Sequence, residues 1–246
     1  MTALSKARNF AFYTIASIIT LVMGTLGLPA LLSRRLAQMG AQCWLRQIFF
    51  LLRIIYRIDF KVIGKENIPK CPFIVACKHQ SVLETLILPF LIPNPIFIIK
   101  KEMLYVPFLG ICLKATGAIH VDRSKGRKAI SYLQRQLLKL SKEDCPVIFP
   151  EGTRANAGIR ITEYPSGIAM IYETLKLPVL PIAVNTGMFW PKSGELKPGT
   201  AIIKILPAIV PKKYNRKQFL KQLNEIIENN SIELYKFSLS KHHQRG

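Results

Sequence analysis

Residues 1–58 differ from the rest of the chain in their pattern of apolar and polar positions. No charged residue occurs between Asn9 and Ser33, and the apolar core of this run, residues 10–32, is 23 residues long. About 20 apolar residues are enough for a helix to cross the hydrocarbon layer of a bilayer. The next stretch, 44–56, mixes apolar residues with arginines and is too short to span, which is typical of an amphipathic helix in a membrane interface. The pattern therefore predicts a membrane-anchoring helical segment over residues 1–58.

The long apolar run favours a retained anchor. It exceeds the apolar core of a signal peptide and is not followed by a clear small-residue cleavage site. A helix buried in the protein core is the alternative, and Gly24, Gly27 and Pro29 leave open a kinked or shallow helix. Positive charge on both flanks of the run also allows a helix pair inserted in one leaflet. Residues 1–58 contain seven Lys or Arg and no Asp or Glu, and five of the seven follow the run. The positive-inside rule then places the main body of the chain on the cytoplasmic side.

After residue 58, short β-branched runs alternate with longer runs of helical periodicity. Seven runs are strand candidates: 60–63, 73–75, 96–99, 118–121, 147–149, 179–184 and 201–206. Four runs have the apolar spacing of helices: 82–88, 125–140, 166–175 and 215–235. This alternation favours an α/β fold with a mixed, largely parallel sheet flanked by helices. We predict an α/β domain over residues 59–236 and a polar tail over 237–246.

Composition narrows the possible partners. Half of the 246 residues are hydrophobic, which excludes global disorder. The chain has 35 Lys and Arg against 14 Asp and Glu, and its net charge of +21 predicts an anionic partner: nucleic acid, an anionic membrane face or phosphorylated substrates. The five cysteines are scattered and form no C-x-x-C pair, which argues against a disulfide framework and a zinc ribbon and suits a reducing compartment.

The first segment with candidate chemistry is 78–84, which follows an apolar strand candidate and opens a helix. Ser81 and Glu84 have the spacing of a capping box, in which a hydroxyl and a carboxylate cap a helix N-terminus. His79 then lies in the loop before the helix, where a turn at Gln80 lets the Glu84 carboxylate fold back toward the imidazole. A histidine oriented by a carboxylate is the general-base half of a catalytic triad. Both interpretations of Glu84 stay open at this point.

Two further segments follow strand candidates and carry groups that bind anions. Residues 149–154 are Phe-Pro-Glu-Gly-Thr-Arg, which combines a flexible glycine, backbone donors and a guanidinium that matches phosphate oxygens. Lys100 and Lys101 follow another strand candidate and offer a second phosphate contact. The alternative for residues 149–154 is an ordinary polar turn, and the alternative for the two lysines is solvated surface charge. A fourth segment, 179–184, contains Pro181, which by itself predicts an edge strand or a bulge.

In this order and spacing, the four segments resemble the motifs of the lysophospholipid acyltransferase family, and most closely those of the bacterial 1-acyl-glycerol-3-phosphate acyltransferases. The family motif H-x-x-x-x-D corresponds to His79 through Glu84, with glutamate in place of the usual aspartate. The motif F-P-E-G-T-R is matched at every position. A lysine stretch that leads to a Pro-x-x-Gly turn occurs at 101–110, and an apolar strand surrounds Pro181. The resemblance spans about residues 59–210.

The resemblance implies transfer of a fatty acyl chain from acyl-CoA or acyl-ACP to the sn-2 hydroxyl of 1-acyl-glycerol-3-phosphate, which makes phosphatidic acid for phospholipid synthesis. Another lysophospholipid or glycerol-3-phosphate is the alternative acceptor. Catalysis is assigned to His79 and Glu84. The substrate phosphate is assigned to three basic residues: Arg154, Lys100 and Lys101. The motif turn consists of Glu151, Gly152 and Thr153, and backbone N–H groups there or near Gln80 are candidate oxyanion donors.

No metal and no cofactor other than the acyl-CoA or acyl-ACP co-substrate is implied. The expected partners are membrane lipids, lysophosphatidic acid and the acyl donor, at the cytoplasmic face of the cytoplasmic membrane. A nucleic-acid partner is not expected, because the chain has a long apolar run and no nucleic-acid-binding motif. A thioesterase would have no use for the phosphate-binding Arg154. Cys77 is an alternative nucleophile, although its place beside a strand favours a buried apolar role, and His120 is predicted to be structural.

Overall fold

The computed structural model describes residues 3–211 and 214–243. In these residues the helices are α1 Ala3–Leu26, α2 Arg34–Tyr56, α3 Leu83–Leu91, α4 Leu109–Ala115, α5 Arg127–Leu137, α6 Gly167–Leu175 and α7 Arg216–His243. The strands are β1 Ile58–Ile63, β2 Ile74–Cys77, β3 Pro95–Lys100, β4 Ile119–Val121, β5 Cys145–Ile148, β6 Val179–Val184 and β7 Gly199–Ile205. The chain forms two compact units, one from residues 1–59 and 96–133 and one from residues 60–95 and 134–246.

The first unit is built on an antiparallel pair of helices, α1 and α2. Trp44 on α2 donates a hydrogen bond of 3.0 Å from its indole nitrogen to the hydroxyl of Thr20 on α1. Nearer the start of α1, the Tyr56 hydroxyl donates to Asn9 Oδ1 at 2.6 Å, and the Tyr56 ring lies edge-on against Phe12. A short 3₁₀ helix, Leu28–Leu32, joins the two helices.

Among the described residues, α1 is the one helix that is long and apolar enough to cross a membrane, over Lys6–Leu26. Only 6% of its most apolar window is buried, so the alternative of a buried core helix is wrong. Phe10, Leu21 and Leu26 point outward with exposed side chains. The helix ends at Leu26 because Gly27 and Pro29 follow, and both residues disfavour a helix interior.

The second helix, α2, is amphipathic and longer than its predicted stretch, which began at residue 44. Leu45, Ile48 and Leu52 are buried on one face. The exposed face combines the basic Arg46 and Arg53 with large apolar residues, Phe50 and Ile54 among them. A face with both arginines and exposed apolar side chains is typical of a helix at a lipid interface.

The second unit contains a mixed sheet with the strand order β1-β7-β6-β2-β5. Strand β2 is parallel to β5 and to β6, whereas β6 and β7 are antiparallel. Every residue of β2 and β6 is buried, as expected for strands covered on both faces. In the first unit, β3 and β4 form a parallel pair. These arrangements confirm the predicted α/β class with largely parallel strands.

Pro181 lies in an internal strand, so the predicted edge position is wrong and the predicted bulge is correct. Strand β6 lies between β2 and β7. From the pair Ile182–Ile205 to the bridge Val179–Ile209, β6 advances three residues and its partner four. The extra residue interrupts the ladder beside Pro181, where a residue without an N–H group does no harm.

All seven predicted strands and all four predicted helices are present, with shifted ends. Helix α4 was not predicted, because its seven residues are too few for a clear period. Helix α7 continues to His243, eight residues beyond its predicted end, and buried Ser238 accepts a hydrogen bond of 2.7 Å from Asn185 Nδ2. The predicted polar tail therefore begins inside a helix, and residues 244–246 lie outside the described part. The domain boundaries at 59 and 237 stay predictions.

Candidate active site

His79 lies in the loop between β2 and α3, and its backbone is held on both sides. Its N–H donates to the carboxylate of Glu151 at 3.0 Å, and its carbonyl accepts from the N–H of Ala155 at 2.7 Å. The preceding residue, Lys78, donates its N–H to the carbonyl of Ile182 on β6 at 2.9 Å. These contacts fix the histidine at the carboxyl end of the sheet, where ligands of open α/β sheets bind.

Glu84 orients the imidazole of His79 as the spacing predicted. His79 Nδ1 lies 2.8 Å from Glu84 Oε1, and the carboxylate is completely buried, whereas 20% of the histidine side chain is exposed. A carboxylate accepts hydrogen bonds, so this contact places the proton on Nδ1 and leaves Nε2 as the basic ring nitrogen. The pair therefore has the geometry of a general base and its orienting carboxylate.

The same carboxylate also caps helix α3. Glu84 Oε1 accepts the N–H groups of Gln80 at 2.8 Å and of Ser81 at 2.7 Å. The Ser81 hydroxyl, however, accepts from Leu83 at 3.1 Å instead of completing a standard capping box. The two interpretations of Glu84 are therefore not exclusive, because one oxygen satisfies the backbone turn and holds the imidazole. The N–H groups of Gln80 and Ser81 are occupied by this carboxylate, and the N–H of Gly152 donates to the carbonyl of Phe149 at 2.9 Å, so the predicted oxyanion donors stay a prediction.

The segment at residues 149–154 lies beside this histidine because β2 and β5 are parallel neighbours, with Val75 opposite Val147. The ring of Phe149 stacks on the His79 imidazole with a centroid distance of 4.1 Å and an interplanar angle of 23°. The chain then turns at Gly152, whose φ of 69° favours glycine. Two of the sequence motifs are thus brought together at one edge of the sheet.

Arg154 is half-buried at the end of this turn. Within residues 3–211 and 214–243, no hydrogen bond or ion pair is formed by its side chain. The next residue, Ala155, is hydrogen-bonded to the His79 carbonyl, so the backbone that carries the arginine is tied to the histidine loop. A guanidinium that has no partner among the described residues is available in this position to an anionic ligand.

Glu151 is buried, so the alternative of a solvated polar turn is wrong for this residue. Besides its bond to the His79 N–H, its carboxylate lies 3.6 Å from the Lys78 ammonium. Burial raises the pKa of Glu151 to about 7, although the Lys78 charge acts in the opposite direction. In the described part of the chain, Glu151 Oε2 is a buried oxygen without a hydrogen-bond partner. Glu151 therefore holds the histidine loop through the backbone N–H of His79.

Lys100 and Lys101 belong to the first unit, whereas His79, Glu84 and Arg154 belong to the second. Lys100 is exposed at the end of β3. Lys101 Nζ lies 3.4 Å from Asp122 Oδ2, and this hydrogen bond raises the pKa of Lys101. The predicted roles of both lysines at the substrate phosphate stay predictions.

Cys77 and His120 were also considered from the sequence, and the structure describes the surroundings of both. Cys77 is completely buried, and burial raises the pKa of its thiol well above its ordinary value, which disfavours the thiolate that a nucleophile requires. The alternative of a cysteine nucleophile is therefore wrong. His120 is half-buried and lies near Tyr132, with 5.4 Å between the ring centroids. In the described residues, no group of three or more His, Cys, Asp or Glu side chains could hold a metal ion.

Sequence reasoning missed three residues that support the site. The Thr186 hydroxyl donates to Glu84 Oε2 at 2.6 Å. The buried ammonium of Lys78 lies 2.6 Å and 2.7 Å from the two carboxylate oxygens of Glu228 on α7. Lys78 belongs to the first motif segment, but nothing local indicates that its side chain turns inward. Thr186 and Glu228 are far away in sequence, and no local pattern marks them.

Comparisons with known proteins agree with this geometry. The family model described as Acyltransferase matches residues 59–185. The 1-acyl-sn-glycerol-3-phosphate acyltransferase of Pseudomonas aeruginosa is 37% identical over 214 residues, which is 85% of this chain and 83% of that protein. The protein of the same name from Saccharomyces cerevisiae is 29% identical over 217 residues, which is 84% of this chain and 72% of the yeast protein. The crystal structure of the 1-acyl-sn-glycerophosphate (LPA) acyltransferase PlsC from Thermotoga maritima matches with a TM-score of 0.74 at 26% identity, covering 94% of this chain and 97% of that one.

Proposed function

This chain belongs to the acyltransferase family, and from that premise we propose that it is a 1-acyl-glycerol-3-phosphate O-acyltransferase. The reaction transfers a fatty acyl chain to the sn-2 hydroxyl of 1-acyl-glycerol-3-phosphate and makes phosphatidic acid for phospholipid synthesis. The observation that carries the proposal is the His79–Glu84 pair, 2.8 Å apart, beside the Phe-Pro-Glu-Gly-Thr-Arg turn. The names of the relatives that match most of the chain support the choice of acceptor.

His79 is the general base in this proposal. Its Nε2 removes the proton of the acceptor hydroxyl while the oxygen attacks the carbonyl carbon of the donor thioester. The new ester forms, the carbon–sulfur bond breaks, and the proton passes from the imidazolium to the departing thiolate. Glu84 keeps Nδ1 protonated and stabilises the positive charge on the ring. Acid–base chemistry of this kind requires no cofactor besides the acyl-CoA or acyl-ACP co-substrate.

Arg154 binds the glycerol phosphate, with Lys100 or Lys101 as a further contact. A guanidinium presents two parallel N–H groups to a phosphate, which fixes the orientation of the acceptor as well as its position. Tying the arginine backbone to the histidine loop through Ala155 supports a fixed spacing between the bound phosphate and the reacting hydroxyl. Such fixed spacing lowers the entropic cost of reaching the transition state.

The enzyme associates with a membrane, and we place its catalytic body on the cytoplasmic face of the cytoplasmic membrane. Helix α1 has the length and composition of a span, and the basic face of α2 follows it. Substrate and product both carry acyl chains and reside in the bilayer. The net charge of +21 suits anionic lipids and an acidic acyl donor.

An acceptor panel tests the proposal. Full-length enzyme in phospholipid vesicles is supplied with one labelled acyl-CoA or acyl-ACP and, separately, with 1-acyl-glycerol-3-phosphate, glycerol-3-phosphate, lysophosphatidylethanolamine or monoacylglycerol. We expect a high rate of acyl transfer only with 1-acyl-glycerol-3-phosphate, and labelled phosphatidic acid as the product. Preference for glycerol-3-phosphate or for another lysolipid would contradict the assignment and support the alternative acceptor.

A further inference from the structure

The buried carboxylate of Glu228 accepts four hydrogen bonds, as many as the carboxylate of Glu84. Both of its oxygens contact the Lys78 ammonium, at 2.6 Å and 2.7 Å, and neither side chain is exposed. Oε1 also accepts the hydroxyl of Tyr164 at 2.7 Å, and Oε2 accepts the N–H of Ile161 at 2.9 Å. A buried ion pair needs such additional bonds, because desolvation of two charges costs several kcal/mol per ion.

The partners of Glu228 come from the two segments that carry the proposed machinery. Lys78 precedes His79, and Ile161 and Tyr164 belong to the segment that follows Arg154. Other side chains of α7 hold the same segment, since Asn224 Nδ2 donates to the carbonyl of Ile161 at 3.0 Å. One helix therefore binds both segments through adjacent turns.

Packing reinforces these bonds at a second point. A Cβ atom on Gly158 would lie 2.7 Å from the ring of Tyr235, so the backbone of this segment lies directly against α7. An exposed surface helix would not need this approach, and a purely apolar contact would stabilise the fold equally well, because buried ion pairs add little net stability. The charged contact has a defined geometry, which suits a role in alignment.

From this placement, and resting on the proposed function, we propose that Glu228 is a positioning residue that aligns His79 with Arg154. Its bonds to Lys78 fix the histidine loop, and its bonds to Ile161 and Tyr164 fix the segment after the arginine. The bound phosphate and the reacting hydroxyl then keep the correct separation. The Glu228 side chain is completely buried behind these residues, so it acts only through these neighbours.

A double substitution removes the charges while the fold is preserved. Glu228→Gln alone leaves the buried Lys78 ammonium with only the more distant Glu151 carboxylate, 3.6 Å away, so it is combined with Lys78→Met. We expect the full-length double variant to keep a melting temperature near that of the wild type and to lose about 10-fold to 100-fold in kcat for 1-acyl-glycerol-3-phosphate. The matched control is Glu233→Gln, an exposed glutamate of the same helix that pairs with Lys204, and it should keep wild-type kinetics. Wild-type kcat in a folded double variant would overturn the proposal.

A mutant cycle with Arg154 separates alignment from general destabilisation. If Glu228 acts by aligning the two segments, its loss matters little once the phosphate contact is gone. The triple variant with Arg154→Ala should then have about the same kcat/KM as Arg154→Ala alone, although the residues are not in contact. Losses that multiply would show independent effects and overturn the proposal. The proposed function itself fails by a different result, full activity of a His79→Ala variant.

A second feature, in the first unit, is the exposed apolar segment at residues 105–111. Apart from Pro107 and Gly110, each of its residues is a large apolar side chain that is exposed: Tyr105, Val106, Phe108, Leu109 and Ile111. Soluble proteins rarely present such a continuous patch to water, and patches of this kind mark contacts with proteins or membranes.

This segment is attached to the end of the membrane-span candidate. The ring of Phe108 lies so close to Gly24 of α1 that a Cβ there would be 2.7 Å from Phe108 Cδ1. Gly24 lies in the last turn of the apolar span Lys6–Leu26, and the end of a span lies at the boundary of the hydrocarbon layer. The exposed Lys100 and Lys114 flank the segment, and their positive charges favour contact with anionic lipid headgroups.

From this independent observation, we infer that residues 105–111 form a second membrane-contacting segment, inserted among anionic phospholipids beside the end of α1. The surface is continuous with the span candidate and is flanked by lysines, and both features favour lipid over a partner protein as its contact. The segment leads into α4 and follows β3, so it ties the body of the first unit to the bilayer.

Photo-crosslinking of the full-length wild-type enzyme tests this surface. The protein is reconstituted in phosphatidylglycerol and phosphatidylethanolamine vesicles that contain a lipid with a photoactivatable acyl chain, and adducts are located by mass spectrometry. We expect adducts on residues 105–111 as well as on α1. Adducts on α1 with none on 105–111 would overturn the inference, including the case in which a partner protein covers the segment.

Two substitutions give a functional readout. Val106→Ser with Ile111→Ser should raise the apparent KM for vesicle-bound acceptor at least about threefold, because apolar area is lost from the lipid contact. The KM for a short-chain, water-soluble acceptor should not change. The matched control is Leu138→Ser, another exposed apolar residue, which should leave both values unchanged. An equal change with both acceptors would contradict a role in membrane contact.

Discussion

The hydroxyl of Thr186 donates a hydrogen bond of 2.6 Å to Glu84 Oε2, the carboxylate oxygen that does not face His79. Thr186 and Glu84 are both buried and are 102 residues apart in the chain. The bond prevents the carboxylate from rotating about its terminal torsion, so the oxygen that meets the imidazole stays in place. The orientation of the histidine thus depends on the residue that follows β6 and Asn185.

Thr186→Val tests this dependence, because valine preserves the shape of threonine and removes the hydroxyl. We expect kcat to fall several-fold and the free energy of unfolding to fall by about 1–3 kcal/mol, since a buried carboxylate oxygen loses its partner. Steady-state kinetics and chemical denaturation measure the two effects. Thr186→Ser keeps the hydroxyl and should recover most of the kcat. Equal loss of kcat in both variants would show that packing, and not the hydrogen bond, matters.

His79→Ala should leave the fold intact and lower acyl transfer by about 10²-fold to 10⁴-fold, the usual contribution of a general base. The measurement is the rate of phosphatidic acid formation, with circular dichroism to verify folding. His120→Ala is the matched control, because His120 lies near Tyr132 in the first unit, and it should keep near-normal activity. Transfer close to the wild-type rate in His79→Ala would refute the proposed base.

Substitutions of Glu84 separate its two tasks. Glu84→Gln keeps an oxygen for the backbone N–H groups of Gln80 and Ser81 but loses the charge that stabilises the imidazolium, so we expect a large loss of kcat with a moderate loss of stability. Glu84→Asp keeps the charge on a shorter arm and should retain substantial activity. The measurements are kcat and the melting temperature of each variant. A lower melting temperature with a normal transfer rate in Glu84→Ala would show that the residue acts only as a helix cap.

Arg154→Ala should mainly raise the acceptor KM, because the phosphate is present in the ground state and in the transition state. Arg154→Lys keeps the charge without the two-pronged geometry, so it should recover the KM only in part. Kinetics with each substrate varied in turn measure the effect, and Arg135→Ala, an exposed arginine of α5, is the control. A rise in the donor KM alone would place the arginine at the phosphates of the acyl donor.

The stability of the fold should respond to pH through Glu151. Burial raises its pKa from an ordinary value near 4.5 to about 7, so the native state favours the protonated carboxyl. The stability from this group is fully present below pH 4.5 and is lost as the pH rises through about 7. The melting temperature of Glu151→Gln minus that of the wild type should therefore increase from pH 5 to pH 8. A constant difference between the two curves over this range would disprove the assignment.

Much of the local architecture follows from short-range patterns. The apolar run that becomes α1, the seven strands and the loop position of His79 were all predicted, because each depends on residues within one or two turns of chain. The contact between His79 and Glu84 belongs to the same class. A five-residue separation with a turn at Gln80 leaves few other places for the carboxylate.

Other features depend on which distant residues meet, and no local pattern encodes that. Pro181 predicted an edge or a bulge equally well, and only the neighbours β2 and β7 decided between them. The ion pair of Lys78 with Glu228 joins positions 150 residues apart, and the Thr186 bond joins positions 102 apart. A lysine in a polar motif and a glutamate on a helix resemble surface residues in sequence. They become buried partners only because α7 lies against the strands, where low solvent access makes an unpaired charge too costly to leave.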